Sequence, residues 1–327
     1  MKYSPSKPMS MITIVIDEGR GSEVMSYVRD RGAEGTVCFL GRGTVDNKVL
    51  HFLELDNVQK EIIMTYVPQE IEVQALQSLA GEFGLSEPRA GIAFAIPAIK
   101  PDDVHGGTPY RTSQCCVMVI VPEGSGEMSV KIARGLGING ATIVYAHGAA
   151  SRTKRIFDLP IEAEKEIVLF VTEPSRIEEL QAELTQGLHL NDRNSGVLAV
   201  FPVTGSVGLE DERAADGEST GGEYSTLGTA IVLHAQLGHD ADFFHAADRV
   251  GSRGGTVIHA RGVSAQVKDG LFGGIEPELE VLFIMTDGRH LDNILSAVTE
   301  VNGEMHVQPP QISLLPVIAQ TGLRFED

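Results

Sequence analysis

Tryptophan is absent from the 327-residue chain, and cysteine occurs only at Cys38, Cys115 and Cys116. Three thiols with two of them adjacent cannot form a disulfide framework or a zinc site of the usual spacing. They read as small buried apolar residues of a reduced, cytoplasmic protein. Basic residues are also short, with 26 Lys and Arg against 45 Asp and Glu and a net charge of −19. A phosphate-backbone binder presents a basic face, so no nucleic-acid partner is expected. No apolar run reaches the roughly 18 residues of a membrane span. The first apolar stretch ends at Asp17-Glu18, too short and too soon charged for a signal peptide. What remains is an ordinary globular composition, 42% hydrophobic and rich in glycine.

The organising feature is repetition. Met11–Pro97 aligns without gaps on Cys116–Pro202 and again on Ala230–Pro316. The shared columns are Gly19/Gly124/Gly238, Gly32/Gly137/Gly251, Gly35/Gly140/Gly254, Gly43/Gly148/Gly262, Glu61/Glu166/Glu280 and Pro97/Pro202/Pro316. The domains are therefore 9–99, 114–204 and 228–320, with 205–227 as an acidic, flexible linker that has little to bury.

Each copy reads β-α-β-β-α-β. In the first, Met11–Asp17 is a β-branched strand. Ser22–Arg31 carries Val24, Met25 and Val28 at helical spacing before Gly32. Strands follow at Thr36–Leu40, Lys60–Val67 and Gly91–Ala98, with an amphipathic helix over Gln69–Phe83. That order predicts an α+β fold of three tandem ferredoxin-like βαββαβ domains. Ile12-Thr13-Ile14-Val15-Ile16 and Val117-Met118-Val119-Ile120-Val121 are apolar on both faces, where a sheet with one wet face should alternate. Helices cover one face; the other two sheets are the simplest cover for the second. The expectation is a monomeric pseudo-trimer, sheets inward and helices outward.

Several segments resemble the PII nitrogen-regulatory signal proteins. They are Arg253-Gly-Gly-Thr-Val-Ile-His-Ala-Arg-Gly262, Leu271-Phe-Gly-Gly-Ile-Glu-Pro-Glu278, Gly41-Arg-Gly43 and Gly84-Leu-Ser-Glu-Pro-Arg-Ala-Gly-Ile-Ala-Phe94. The resemblance covers essentially all of the three copies. It implies three fused PII-like domains and a signal-transduction regulator rather than an enzyme. It further implies a small anionic effector, such as an adenine nucleotide, often with 2-oxoglutarate, held in the clefts between domains, and a regulated protein partner (transporter, enzyme or regulator). Each cleft is built from the T-loop base after the second strand and the B-loop before the fourth. The T-loop positions, Thr44–Glu54, Gly148–Leu159 and Gly262–Gly273, are short and lack the tyrosine that uridylylated members modify. The family's basic B-loop residue is replaced by Ile92, Val197 and Gln311, and Pro310 stands where the other copies have Gly91 and Gly196. Fewer than three equivalent sites are expected. A CutA-like ion-tolerance module and an enzyme using the same clefts are the alternatives.

Arg42, His147 and Arg261 share one column, each before a shared glycine, and read as cations at a turn beside exposed N–H groups, a seat for an anion. With them go Gly41, Gly43, Gly148 and Gly262, and from the B-loops Arg89, Gly91, Arg193 and Gly196. Arg42 is expected to matter for binding and hardly for stability. Gly19, Gly32 and Gly35 read as turn residues of unusual φ. No catalytic set repeats across the copies. The recurring Glu61, Glu166 and Glu280 read as structural at the interface between copies. No metal site is expected, since His234 and His259 lie on strands separated by a third, and His239 and His245 could hold an ion only weakly at a helix start.

Overall fold

A computed structural model describes residues 8–44, 57–87, 90–101, 109–149, 155–156, 159–160, 163–209, 222–252, 254–262, 277–305 and 311–323. The β-branched runs form β1 (Met9–Asp17), β5 (Gln114–Pro122) and β9 (Gly228–Gln236). After each comes a Gly turn and a ten-residue helix: α1 (Gly21–Asp30), α3 (Gly126–Gly135) and α5 (Asp240–Arg249). The second strands are β2 (Glu34–Thr44), β6 (Ala141–Ala149) and β10 (Gly255–Gly262). The third are β3 (Asn57–Pro68), β7 (Ala163–Thr172) and β11 (Glu278–Thr286). Helices α2 (Glu72–Phe83), α4 (Ile177–Gly187) and α6 (Leu291–Met305) follow, then β4 (Gly91–Ala98), β8 (Val197–Val203) and β12 (Gln311–Val317).

The fold is α+β: a largely antiparallel 14-stranded sheet with six α-helices among the described residues. Within it β1 lies between β3 and β4, and β3 between β1 and β2. The same pairings recur for β5 to β8 and for β9 to β12. The second strands join the three segments in a cycle. Gly41–Thr44 pairs with Ala141–Val144, His147–Ala149 with Gly255–Val257, and Arg261–Gly262 with Val37–Cys38. A second cycle runs through the chain after each last strand. Gly205–Val207 pairs with β4, Ala319–Thr321 with β8, and Ile99 bridges Leu314 on β12.

Burial follows both strand faces. Ile12, Ile14 and Ile16 pack with Val24 and Leu76 of the helices. Met11 and Val15 instead join a core shared by all three segments, with Phe94, Met118, Phe201, Val232 and Leu315. Ile14 is fully buried and Val15 is 5% exposed, so neither face is wet. The alternation rule failed in the sequence because two layers, not one, cover the sheet. The three cysteines form no disulfide and are buried, as expected of small apolar residues, and burial pushes the Cys115 thiol up to about 12. Gly19, Gly32 and Gly35 have φ of 91°, 84° and 57°, and their counterparts in the other copies are also positive, as turn residues require. The segment read as a flexible linker is paired at both described ends: Gly205–Val207 on β4, and Gly222–Tyr224 on Tyr110–Thr112. No helix among the described residues is long and apolar enough to cross a membrane.

Candidate functional site

The three recurring glutamates lie at the N-terminal ends of α1, α3 and α5, where unpaired backbone N–H groups need acceptors. They are nearly fully buried, at 4%, 2% and 2% exposure for Glu61, Glu166 and Glu280. Glu61 Oε2 accepts from Gly21 N at 2.5 Å. Glu166 Oε2 accepts from Gly124 N and Gly126 N at 3.0 and 2.6 Å. Glu280 accepts from Gly238 N at 2.9 Å and from His239 N and Asp240 N at 3.3 and 3.2 Å. Each carboxylate thus stitches the turn after the first strand to the third strand.

Cations reach these carboxylates from a neighbouring copy, across the seam where second strands pair. Arg42 Nη2 lies 3.2 Å from Glu166 Oε1, Nη1 donates to Glu127, and the guanidinium carbon lies 5.9 Å from the centroid of Tyr145. Burial opposes the Arg42 charge, but Glu127, Tyr145 and Glu166 outweigh it and hold its pKa above the ordinary value. Arg261 donates to Glu61, and its Nη1 reaches Ser22 Oγ at 2.9 Å. The reading of Arg42 as an exposed turn cation is therefore corrected. It lies within a strand, its side chain is 12% exposed, and it neutralises a buried acid. The sequence does not reveal this, because the partner strand is about a hundred residues away.

His147, the third member of that column, meets His259 instead, with ring centroids 5.2 Å apart, and His259 Nε2 stands 4.0 Å from Glu280 Oε1. His234 and His259 flank β11 as the sequence implied, but on opposite faces, since they pair with Val281 and Glu280 respectively. His239 stands just before α5, beside Asp242 at 3.8 Å, and His245 is exposed on that helix.

The remaining predicted ligand residues scatter. Gly41 lets β2 approach β6, since a Cβ there would stand 2.8 Å from Ile143 O. Gly43 and Gly148 back onto Lys60 and Lys165, and Gly262 onto Leu279. Gly91 and Gly196 have φ of 141° and 143°. A Cβ on Gly196 would sit 2.6 Å from Ile120 O, and one on Gly91 would strike Val15 O. Close backbone approach alone accounts for glycine at both. Gly208 and Gly322, which follow the second and third copies, abut the carbonyls of Gly91 and Gly196. Gly91 shares a row with Leu40 through Ile16 and Glu61, so three strand spacings, about 14 Å, separate the first copy's own B-loop from its own β2 end. Arg193 is exposed in the turn before β8. Arg89, Pro310 and most of the T-loop positions lie outside the described residues.

One histidine weighed in the sequence only as a metal ligand lies buried at a seam. His234 is 7% exposed and faces the shared core, where the other copies place Val15 and Ile120. Around it are Gln311, Tyr66 at 5.5 Å between centroids, and Gly35, against whose Cα the Gln311 amide packs. Ser313 Oγ donates to Tyr66 Oη at 2.6 Å. Neither ring nitrogen of His234 makes a hydrogen bond of normal geometry. Burial pushes its imidazole down to about 4, against a smaller opposing pull from the Gly35 backbone. The signal was a histidine in an otherwise apolar column.

No family model matches the chain, and no curated protein matches it. Among solved structures, an aspartate kinase from Synechocystis matches at 10% identity and a TM-score of 0.23, over 94% of this chain and 43% of that one. A likeness that low carries no argument about fold or function.

Proposed function

We propose that the chain is a PII-like signal-transduction protein: three tandem ferredoxin-like domains closed into a pseudo-trimer, sensing a small anionic effector in the clefts between domains and regulating a protein partner. One observation carries this reading, the cyclic pairing of the second strands, with the same four-strand order on each side of every seam. Such closure leaves the second-strand ends and the fourth-strand starts at boundaries between copies. It gives no support to a repeated catalytic set. An adenine nucleotide is the effector we favour, and the seam arginines set its terms. A phosphate approaching Arg42 or Arg261 meets a guanidinium already shared with Glu166 or Glu61.

A thermal-shift screen of the full chain with ATP, ADP, AMP, cyclic nucleotides and 2-oxoglutarate tests the proposal. A ligand at 100 times its dissociation constant adds about 2.7 kcal/mol, readily seen as a raised melting temperature. We expect a shift with at least one adenine nucleotide, and calorimetry giving fewer than three sites per chain. A flat response across the panel overturns the reading.

A further inference from the structure

The three buried glutamates are equivalent by position but unequal in charge compensation. Glu61 has Arg261, and Glu166 has Arg42, each a permanent cation delivered across a seam. At the third seam no arginine or lysine pairs with Glu280 among the described residues; its nearest cation-forming side chain is His259 at 4.0 Å. Glu280, 2% exposed, is held by the backbone N–H groups of Gly238, His239 and Asp240 but among the described residues lacks the permanent cation that the other two glutamates have.

Two columns change together here. Where the other seams bring Arg42 to Tyr145 and Arg261 towards the β2 strand of Leu40, the third brings His147 to His259. His147 opposes Val257 across the seam and Glu164 on β7, and Val257 lies two residues from His259. Both imidazoles, Glu164 and Glu280 therefore share one face of the sheet. The His259 side chain is 58% exposed, so the pair is open to solvent. Two imidazoles on one tetrahedral ion, with metal–nitrogen bonds of about 2.0–2.1 Å, place their ring centroids about 5 Å apart. The observed separation is 5.2 Å.

We propose that the third seam takes a divalent transition-metal ion between His147 and His259, and that this ion supplies to Glu280 the positive charge that arginine supplies to Glu61 and Glu166. Imidazole ligands favour zinc, copper or nickel over magnesium or calcium. Among the described residues no three His, Cys, Asp or Glu side chains are gathered to hold an ion, so this is a two-imidazole seat with water completing the shell. The ion joins β6 to β10 and so ties the second copy to the third. The proposal does not rest on the nucleotide reading.

The test is zinc titration by calorimetry of the full chain after chelator treatment, with cobalt absorption as a second readout. Wild type and the exposed-histidine control His245→Gln are expected to bind alike. His259→Gln and His147→Gln should each weaken the site by about tenfold or more. His147→Arg should abolish it while keeping the fold by circular dichroism, because it recreates the other two seams. Should His147→Gln fold poorly, His259→Gln at its exposed position still decides. Zinc binding unchanged in His259→Gln, or no zinc uptake by wild type, overturns the proposal.

Discussion

Arg42 shows how a residue's role depends on what crosses to it. Replacing it by Ala leaves Glu166 buried with only its backbone donors, so Arg42→Ala should lower stability by about 1–3 kcal/mol, read as a reduced urea midpoint. Arg42→Ala combined with Glu166→Gln should recover part of that loss. A midpoint equal to wild type in the single variant would show that the pair contributes nothing. His234 makes the opposite case, a histidine held neutral. Its folded pKa of about 4 lies below the ordinary imidazole value near 6.5. The unfolded chain therefore binds the extra proton first, and this contribution to stability is complete above about pH 6.5 and lost as pH falls towards 4. His234→Ile, matching Ile120, should stabilise the chain more at pH 4.5 than at pH 7 in paired melts. A pH-independent difference would refute the assignment. The sequence made His234 visible as the odd member of an apolar column and Arg42 as one of two arginines in its own. It did not disclose their surroundings, because Glu166 and Tyr66 reach them through the fold and not through the chain.

Elements were legible where their cause is local. β4 runs over the range its apolar pattern predicts, α1 is displaced by one residue, and α2 begins three residues late because Gln69–Ile71 forms a 3₁₀ turn. β2 is the informative discrepancy: Thr36–Leu40 in the sequence, Glu34–Thr44 in the structure. Its extension Gly41–Thr44 pairs on one edge with β3 of its own copy and on the other with β6 of the next, and the second contact has a sequence separation that no local pattern encodes. Glycines divide by the same logic. Gly19 has positive φ but open space around it, so Gly19→Ala should cost about 1 kcal/mol from backbone strain alone. Gly196→Ala adds a clash with Ile120 O and should cost clearly more, with β8 displaced from β5. Denaturant midpoints of the two variants check the ranking, and equal losses would contradict it.

At the scale of the whole molecule, the three copies do not own separate cores. Each has a private cluster under its helices, such as Leu233, Phe243 and Ile294, but the inner faces merge into one body from Met11 to Val317. Removing one copy would expose the apolar inner faces of the other two and break both cycles of strand pairing. The chain should therefore scatter light as a monomer and unfold in one cooperative transition, with calorimetric and van't Hoff enthalpies in agreement. Independent beads would give up to three transitions, because each would need only its private cluster. An obligate trimer of full chains would likewise contradict the closure, since the seams a trimer would use are already filled. The repeat in the sequence predicts three similar units. That they melt as one follows from strands with no wet face, which leave each copy without a surface on which it could stand alone.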